Sequence, residues 1–322
     1  MNTVSSSPHI SSNETVPKIM WNVSLALAPA AIFGIIYFKT NALIIILASI
    51  LAAVATEYLI SKFRKIPVTI SDGSAFLTGL LMAMCMPPTL PAYMAALGAI
   101  VAVAIGKHSM GGLGQNIFNP AHIGRAAVMV SWPVAMTTWS SIKTSADVVT
   151  SATPLNILKM QGYDALINTF GTQGELYKAL LLGTRNGSIG ETCTILLVLG
   201  GAYLIYKKYI NWQIPAIMIA TVGLLTWIFG KEGFFTGDPI FNMMAGGLII
   251  GAFFMATDMV TMPITKKGQI IFAIGAGLIT ALIRLKGGYP EGVCYSILLM
   301  NALTPLIDRF TKPTKFGSKE AM

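Results

Sequence analysis

The sequence predicts an all-α integral membrane protein of about ten transmembrane helices, arranged as two inverted five-helix repeats. Three observations carry that prediction. The 322 residues are 54% hydrophobic and only 11% charged, with a mean hydropathy of +0.68. An ordinary soluble domain is about a quarter charged. The apolar residues fall in runs near the length a bilayer requires, roughly 17–25 residues per helix. One long polar connection divides those runs five and five. This composition excludes a soluble enzyme, a disordered chain and a nucleic-acid binder; the formal charge of +9 is distributed as loop charge beside a membrane.

The elements follow in order. Residues 1–19 are a polar cytoplasmic segment. The first apolar run, Trp21–Phe38, is too long for a signal h-region and lacks a small-x-small cleavage site, so it is a retained span. The predicted spans are 20–38, 41–60, 73–88, 91–106 and 117–136 in a first membrane half, 20–136. Those of a second half, 189–307, are 189–206, 211–229, 240–257, 269–285 and 289–307. A tail, 308–322, follows. With both termini in the cytoplasm, the inner segments collect Lys62, Arg64, Lys65, Lys107, Arg125, Lys207, Lys208, Lys266 and Lys267, among others. That bias sets the orientation. It places the connection 137–188, rich in Ser, Thr, Gly and Asn, outside.

Five spans is an odd number, so the second set runs opposite to the first, a common transporter plan. Weak internal echoes agree. Ser71-Asp72-Gly73 precedes span three and Gly237-Asp238-Pro239 precedes span eight; Gly111-Gly112 and Gly287-Gly288 sit in matching loops.

Soluble-enzyme motifs are absent. Gly111-Gly112-Leu113-Gly114-Gln115-Asn116 fails GxGxxG at its last glycine, and there is no GxxxxGK[ST]. Three cysteines, Cys85, Cys193 and Cys294, form no CxxC pair and read as small buried side chains; His9, His108 and His122 are too scattered for a metal site, with His108 read as a loop residue. The 18 methionines read as gap-filling core, and glycine-rich spans as close helix contacts.

Polar groups within spans carry more weight, because lipid makes them costly. Glu57, Asn119, Arg125, Asn242, Asp258 and Asn301 are the candidates. Half the weight for Glu57, Asp258 and Arg125 goes to snorkelling at span ends. The functional reading is a cofactor or ion site between broken helices. Asn119-Pro120 favours it, because a proline early in a span frees backbone groups that need partners.

The most informative segment is Asp147-Val148-Val149-Thr150-Ser151-Ala152-Thr153-Pro154-Leu155 in the outer connection. It reads as a polar turn into a helix with Thr153 as N-cap and Pro154 at N1. Such a helix start suits a phosphate, and its threonine hydroxyl can be esterified by one.

This segment resembles the flavinylation motif of the RnfD/NqrB family of membrane subunits. So does the stretch Gly111–Ala121 followed by Gly124-Arg125, as do Ser5–Ile10 and Ala256–Thr261, the last with Met259 where the family usually has proline. The short N-terminus is similar to RnfD. The resemblance covers nearly the whole chain. It implies an electron-transfer subunit of an Rnf-type ferredoxin:NAD⁺ oxidoreductase in the bacterial cytoplasmic (inner) membrane, moving Na⁺ or H⁺. It implies FMN joined to Thr153 by a phosphoester, attached by an FMN transferase from FAD. Asp147, Thr150, Ser151 and Ala152 would form the motif, while Asn119 or Arg125 could tune the ring. Glu57 and Asp258 are ion-path candidates. Implied partners are A-, B-, C-, E- and G-like subunits; a second, non-covalent riboflavin is known in the related NqrB. The rival reading is a cofactor-free secondary transporter or channel for a small solute.

Overall fold

The computed structural model describes residues 14–139, 152–230 and 233–312. It is mostly helical. In order the helices are α1 (Val16–Phe63), α2 (Ser74–Met84), α3 (Ala92–Val101), α4 (Pro120–Ser131), α5 (Pro133–Thr137), α6 (Pro154–Gln161) and α7 (Tyr163–Phe170). Then come α8 (Gln173–Leu182), α9 (Thr194–Tyr206), α10 (Gln213–Ile228), α11 (Pro239–Met244), α12 (Leu248–Ile250), α13 (Lys266–Lys286) and α14 (Val293–Phe310). Strands β1 (Phe229–Gly230) and β2 (Gly233–Phe234) make an antiparallel pair.

Among the described residues, two helices, α1 and α13, are long and apolar enough to cross a membrane. The 48-residue α1 holds the first two predicted spans, because Lys39 (φ 56°, ψ −141°) breaks it into arms 16–38 and 40–63. Several other predicted spans are shorter or broken. The 73–88 run forms only α2, ending at Cys85 before Pro87-Pro88. The 91–106 run is α3 continued by a π-helical turn, Ala102–His108. His108 thus ends a helix, buried, rather than lying in a loop. The 240–257 run breaks at Ala245-Gly246-Gly247 between α11 and α12, then becomes π-helical over Gly251–Met255. Widened turns and glycine breaks of this kind concentrate at functional sites.

Helix starts obey local chemistry. Asn119 caps α4 before Pro120, its Oδ1 accepting from Ala121 N at 3.0 Å. Asp238 caps α11 before Pro239, its Oδ1 accepting from Phe241 N at 2.9 Å. Each side chain satisfies a donor that a helix N-terminus leaves orphaned.

One large core joins α1, α2, α3, α9, α10, α13 and α14. The arms of α1 pack on α2, α3 and α9, while α10 packs on α13 and α13 on α14. A second, small core holds Leu155, Ile157, Leu166, Leu176 and Leu180 against Phe241 and Ala245. Residues 152–188 of the predicted outer connection thus hold a helical layer, α6–α8, seated on α11. Leu25, Ile36, Leu51, Leu59, Leu199 and Leu282 are exposed on the helix surfaces, as in a bundle that presents apolar side chains to lipid.

Candidate functional site

Thr153 starts α6 with extended backbone (φ −68°, ψ 155°), and its hydroxyl accepts from Asn156 N at 3.3 Å. The predicted N-cap with Pro154 at N1 is therefore formed. Ala152 packs against the small outer core. Asp147, Thr150 and Ser151 lie outside the described residues. Thr153 opens into a cleft whose walls include Trp139, Arg185, Asn186, Glu191, Gly246 and Glu291.

Behind this cleft is a buried charge cluster. Arg125, Arg185, Arg284 and Glu191 are each at most 7% exposed, and the Glu291 side chain keeps 16%. Arg125 Nη2 donates to Glu291 Oε2 at 2.5 Å. Gly247 N donates to Glu291 Oε1. Arg185 Nη2 donates to the carbonyls of Glu191 (2.6 Å) and Met244 (3.1 Å). Arg284 Nη2 donates to Ala245 O at 2.9 Å. The glycine break makes this possible. Gly246 is left-handed (φ +72°), and a Cβ there would meet Leu155 Cδ1 at 2.6 Å. At Gly247 a Cβ would press on carboxylate oxygens of both Glu291 and Glu191. The two glutamates, one before α9 and one before α14, thus face the same backbone turn.

A second cavity shares Trp139, Pro290 and Glu291 with the first and continues past Arg125, Tyr289 and Tyr295. The two adjoin at those shared walls. Arg125, counted on the inner side from its place in the chain, lines the second of them. Asn119 lines neither. Six residues before Arg125 on the same helix, its Nδ2 donates to Met255 O at 3.2 Å. It lines a separate, mainly apolar cavity with Lys107, Asn116, Thr257 and Asp258.

At that other site Glu57 does not snorkel. It is 0% exposed, and Lys107 Nζ donates to both its oxygens at 2.8 and 2.7 Å. Lys107 also donates to Ser74 Oγ at 2.6 Å, and Thr69 Oγ1 donates to Glu57 at 2.8 Å. Asp258 is half-buried and accepts from Val260 N and Thr261 Oγ1, both at 3.3 Å. Asn301 is buried against Ile297, Asn119 and Thr261. Asn242 is buried in α11, its amide donating to Asp238 O at 2.8 Å.

Sequence reasoning passed over Arg185, Glu191, Arg284 and Glu291. A signal existed: Glu191, Arg284 and Glu291 lie inside predicted spans, the criterion that nominated Glu57. All three lie near the ends of those spans. The three cysteines are free and buried, and no metal-binding group of His, Cys, Asp and Glu occurs among the described residues.

Known proteins align with nearly the whole chain. The family model described as NQR2, RnfD, RnfE matches residues 3–317. The chain is 72% identical over 319 residues to the D component of a proton-translocating ferredoxin:NAD(+) oxidoreductase complex from Clostridium ljungdahlii, covering 98% of this chain and 96% of the relative. It is 45% identical over 315 residues to the D component of the Na(+)-translocating complex of Acetobacterium woodii, covering 98% and 95%. It is 36% identical over 341 residues to the D component of an ion-translocating oxidoreductase complex of Stutzerimonas stutzeri, covering 94% and 92%. With Thr153 seated at its cleft and the match running almost end to end, the chain belongs to the NQR2, RnfD, RnfE family.

Proposed function

We propose that this protein is the flavin-carrying membrane subunit of an ion-translocating ferredoxin:NAD⁺ oxidoreductase, with FMN esterified to Thr153. The observation that carries the reading is Thr153 itself. Its hydroxyl sits at a helix start, in the Ser-Ala-Thr-Pro-Leu context, at a cleft lined by Arg185 and Trp139. These residues fit the group. A helix start and an arginine suit a phosphate. The adjoining cavity is lined by Trp139, Tyr289 and Tyr295, aromatic surfaces that suit a planar ring.

When bound, the flavin supplies the electron transfer that protein side chains cannot. This chain's own residues bind and orient. Attachment forms the bond from Thr153 Oγ to the FMN phosphorus of FAD and breaks the pyrophosphate bond; AMP leaves, and the hydroxyl proton is lost. Arg125, fixed by Glu291, would place its guanidinium beside a ring bound in the adjoining cavity and stabilise negative charge there. The separate cavity with Asn116, Asn119 and Thr257 is mostly apolar and suits an uncharged second flavin such as riboflavin.

The wider reading follows. The chain lies in the bacterial cytoplasmic membrane with both termini inside and α6–α8 outside, alongside A-, B-, C-, E- and G-like subunits. It is matured by an FMN transferase. The arms of α1, with α2, α3 and α4, are matched by α9, α10, the α12 turn, α13 and α14. The α1–α3 and α3–α4 contacts correspond to α10–α13 and α13–α14, which supports ten crossings in two inverted repeats. The 72%-identical relative is named as proton-translocating, which favours H⁺ over Na⁺. Glu57 and Asp258 are the carboxylates to consider for the ion path.

The test is in-gel flavin fluorescence after full denaturation, with the chain produced beside an FMN transferase, followed by peptide mass analysis. Wild type should fluoresce and carry an FMN-sized mass on residues 147–159; Thr153→Val should do neither. A dark wild-type band would overturn the flavin reading and leave the chain a flavin-free subunit of the complex.

A further inference from the structure

The charge cluster behind Thr153 is out of balance. Three buried arginines face two glutamates, so with both glutamates ionised the cluster carries one surplus positive charge. An uncompensated charge in a buried site is costly and calls for a counter-anion. The three arginines are not equivalent. Arg125 is paired with Glu291. Arg284 is bound to the carbonyls of Asn242 and Ala245 and lines a different cavity, beside Tyr163 and Asp238. Arg185 alone of the three lines the cleft that Thr153 opens into. It is 4% exposed and its Nη2 is anchored to two carbonyls; its Nε, like that of the other two arginines, has no hydrogen-bond partner.

We propose that Arg185 is the phosphate clamp of this subunit: its guanidinium binds the phosphodiester carried by Thr153 and neutralises it against the buried cluster. The proposal rests on the reading that Thr153 bears that ester. A phosphodiester has one negative charge at neutral pH, the amount the cluster lacks. The anchored Nη2 fixes the plane of the guanidinium, so the remaining N–H groups present a preset fork to phosphate oxygens. At the start of α6, Pro154 has no N–H, and the N–H groups of Asn156 and Ile157 donate to Thr153, so the backbone contributes the Leu155 N–H and the positive end of the helix dipole. Arg185 is a positioning residue: it fixes the phosphate end of the flavin.

The test is a thermodynamic cycle between loading and residue 185. Wild type, Arg185→Gln and Arg185→Lys are each produced with and without an FMN transferase. Covalent flavin is read by intact mass, and melting temperature is measured in lipid nanodiscs. Loading should raise the wild-type melting temperature by about 2–4 °C, the size expected when one charge-assisted contact is gained. In Arg185→Gln the rise should vanish, and in Arg185→Lys it should be partial. An equal rise in wild type and Arg185→Gln, with both loaded, overturns the clamp alone. Where Arg185→Gln does not fold, Arg185→Lys decides, because it keeps the charge: a smaller rise than wild type supports the clamp, and an equal rise overturns it. Absence of covalent mass on wild type overturns the Thr153 reading itself, and the clamp with it.

Discussion

Asp238 illustrates how one side chain ties the outer layer to the bundle. Its Oδ1 caps α11, while Oδ2 accepts from Tyr163 (3.1 Å) and Tyr177 (2.7 Å), which lie on α7 and α8. Burial, then the hydrogen bond to Asp238, push the Tyr177 hydroxyl up to about 12, and burial beside Asp238 raises Tyr163 as well. The sign follows from linkage. A tyrosine whose folded value lies above its unfolded value of about 10 stabilises the fold below that pH. That contribution is lost as pH climbs from about 10 toward 12. Asp238→Asn keeps a capping side chain but removes the charge. Its late tyrosinate absorbance should move back toward the ordinary value, with Tyr177→Phe identifying the band. An unchanged titration curve would mean that Asp238 does not hold these hydroxyls.

Among the elements, the legible parts are those where one residue decides locally. Thr153-Pro154, Asn119-Pro120 and Asp238-Pro239 each announce a helix start, and each forms one. The breaks inside apolar runs were harder to read. Nothing in the composition of Ala245-Gly246-Gly247 separates close helix packing from a left-handed turn; the turn exists because Arg284 and Glu291 converge on its backbone. The boundary at Lys39 was legible as a gap between spans, but its geometry was not. Lys39 is exposed and adopts φ 56°, ψ −141°, a region costly for any residue with a Cβ. Glycine relieves that strain and loses no packing there, though it adds chain entropy to the unfolded state. Lys39→Gly should therefore stabilise the protein by about 1 kcal/mol, near 2 °C in melting temperature. A lower melting temperature would show that the lysine side chain itself holds the bend.

At the scale of the whole molecule, the class of fold followed from composition, while the site's charges did not, because residues 125, 185, 191, 284 and 291 meet only after both halves have packed. The same packing separates the two ion-path candidates. Glu57 and Lys107 satisfy each other within a shell that includes Ser74 and Thr69. Breaking one side of such a buried pair costs about 3–5 kcal/mol, whereas replacing both partners with apolar groups of similar volume is often neutral. Asp258 is half-buried, accepts from Val260 N and Thr261 Oγ1 at 3.3 Å and from the Asn116 side chain, and borders the apolar cavity. A carboxylate that exchanges a cation must be able to release its partners, and Asp258 meets that condition better than Glu57. Assembled complex in vesicles separates the two roles. The double variant Glu57→Leu/Lys107→Met should fold and keep the wild-type number of ions moved per electron, while Glu57→Gln alone should destabilise the subunit. Asp258→Asn should leave electron transfer running and lower the ion yield. A lost ion yield in the well-folded double variant would move the path to Glu57, because a purely structural pair has no means of changing that ratio.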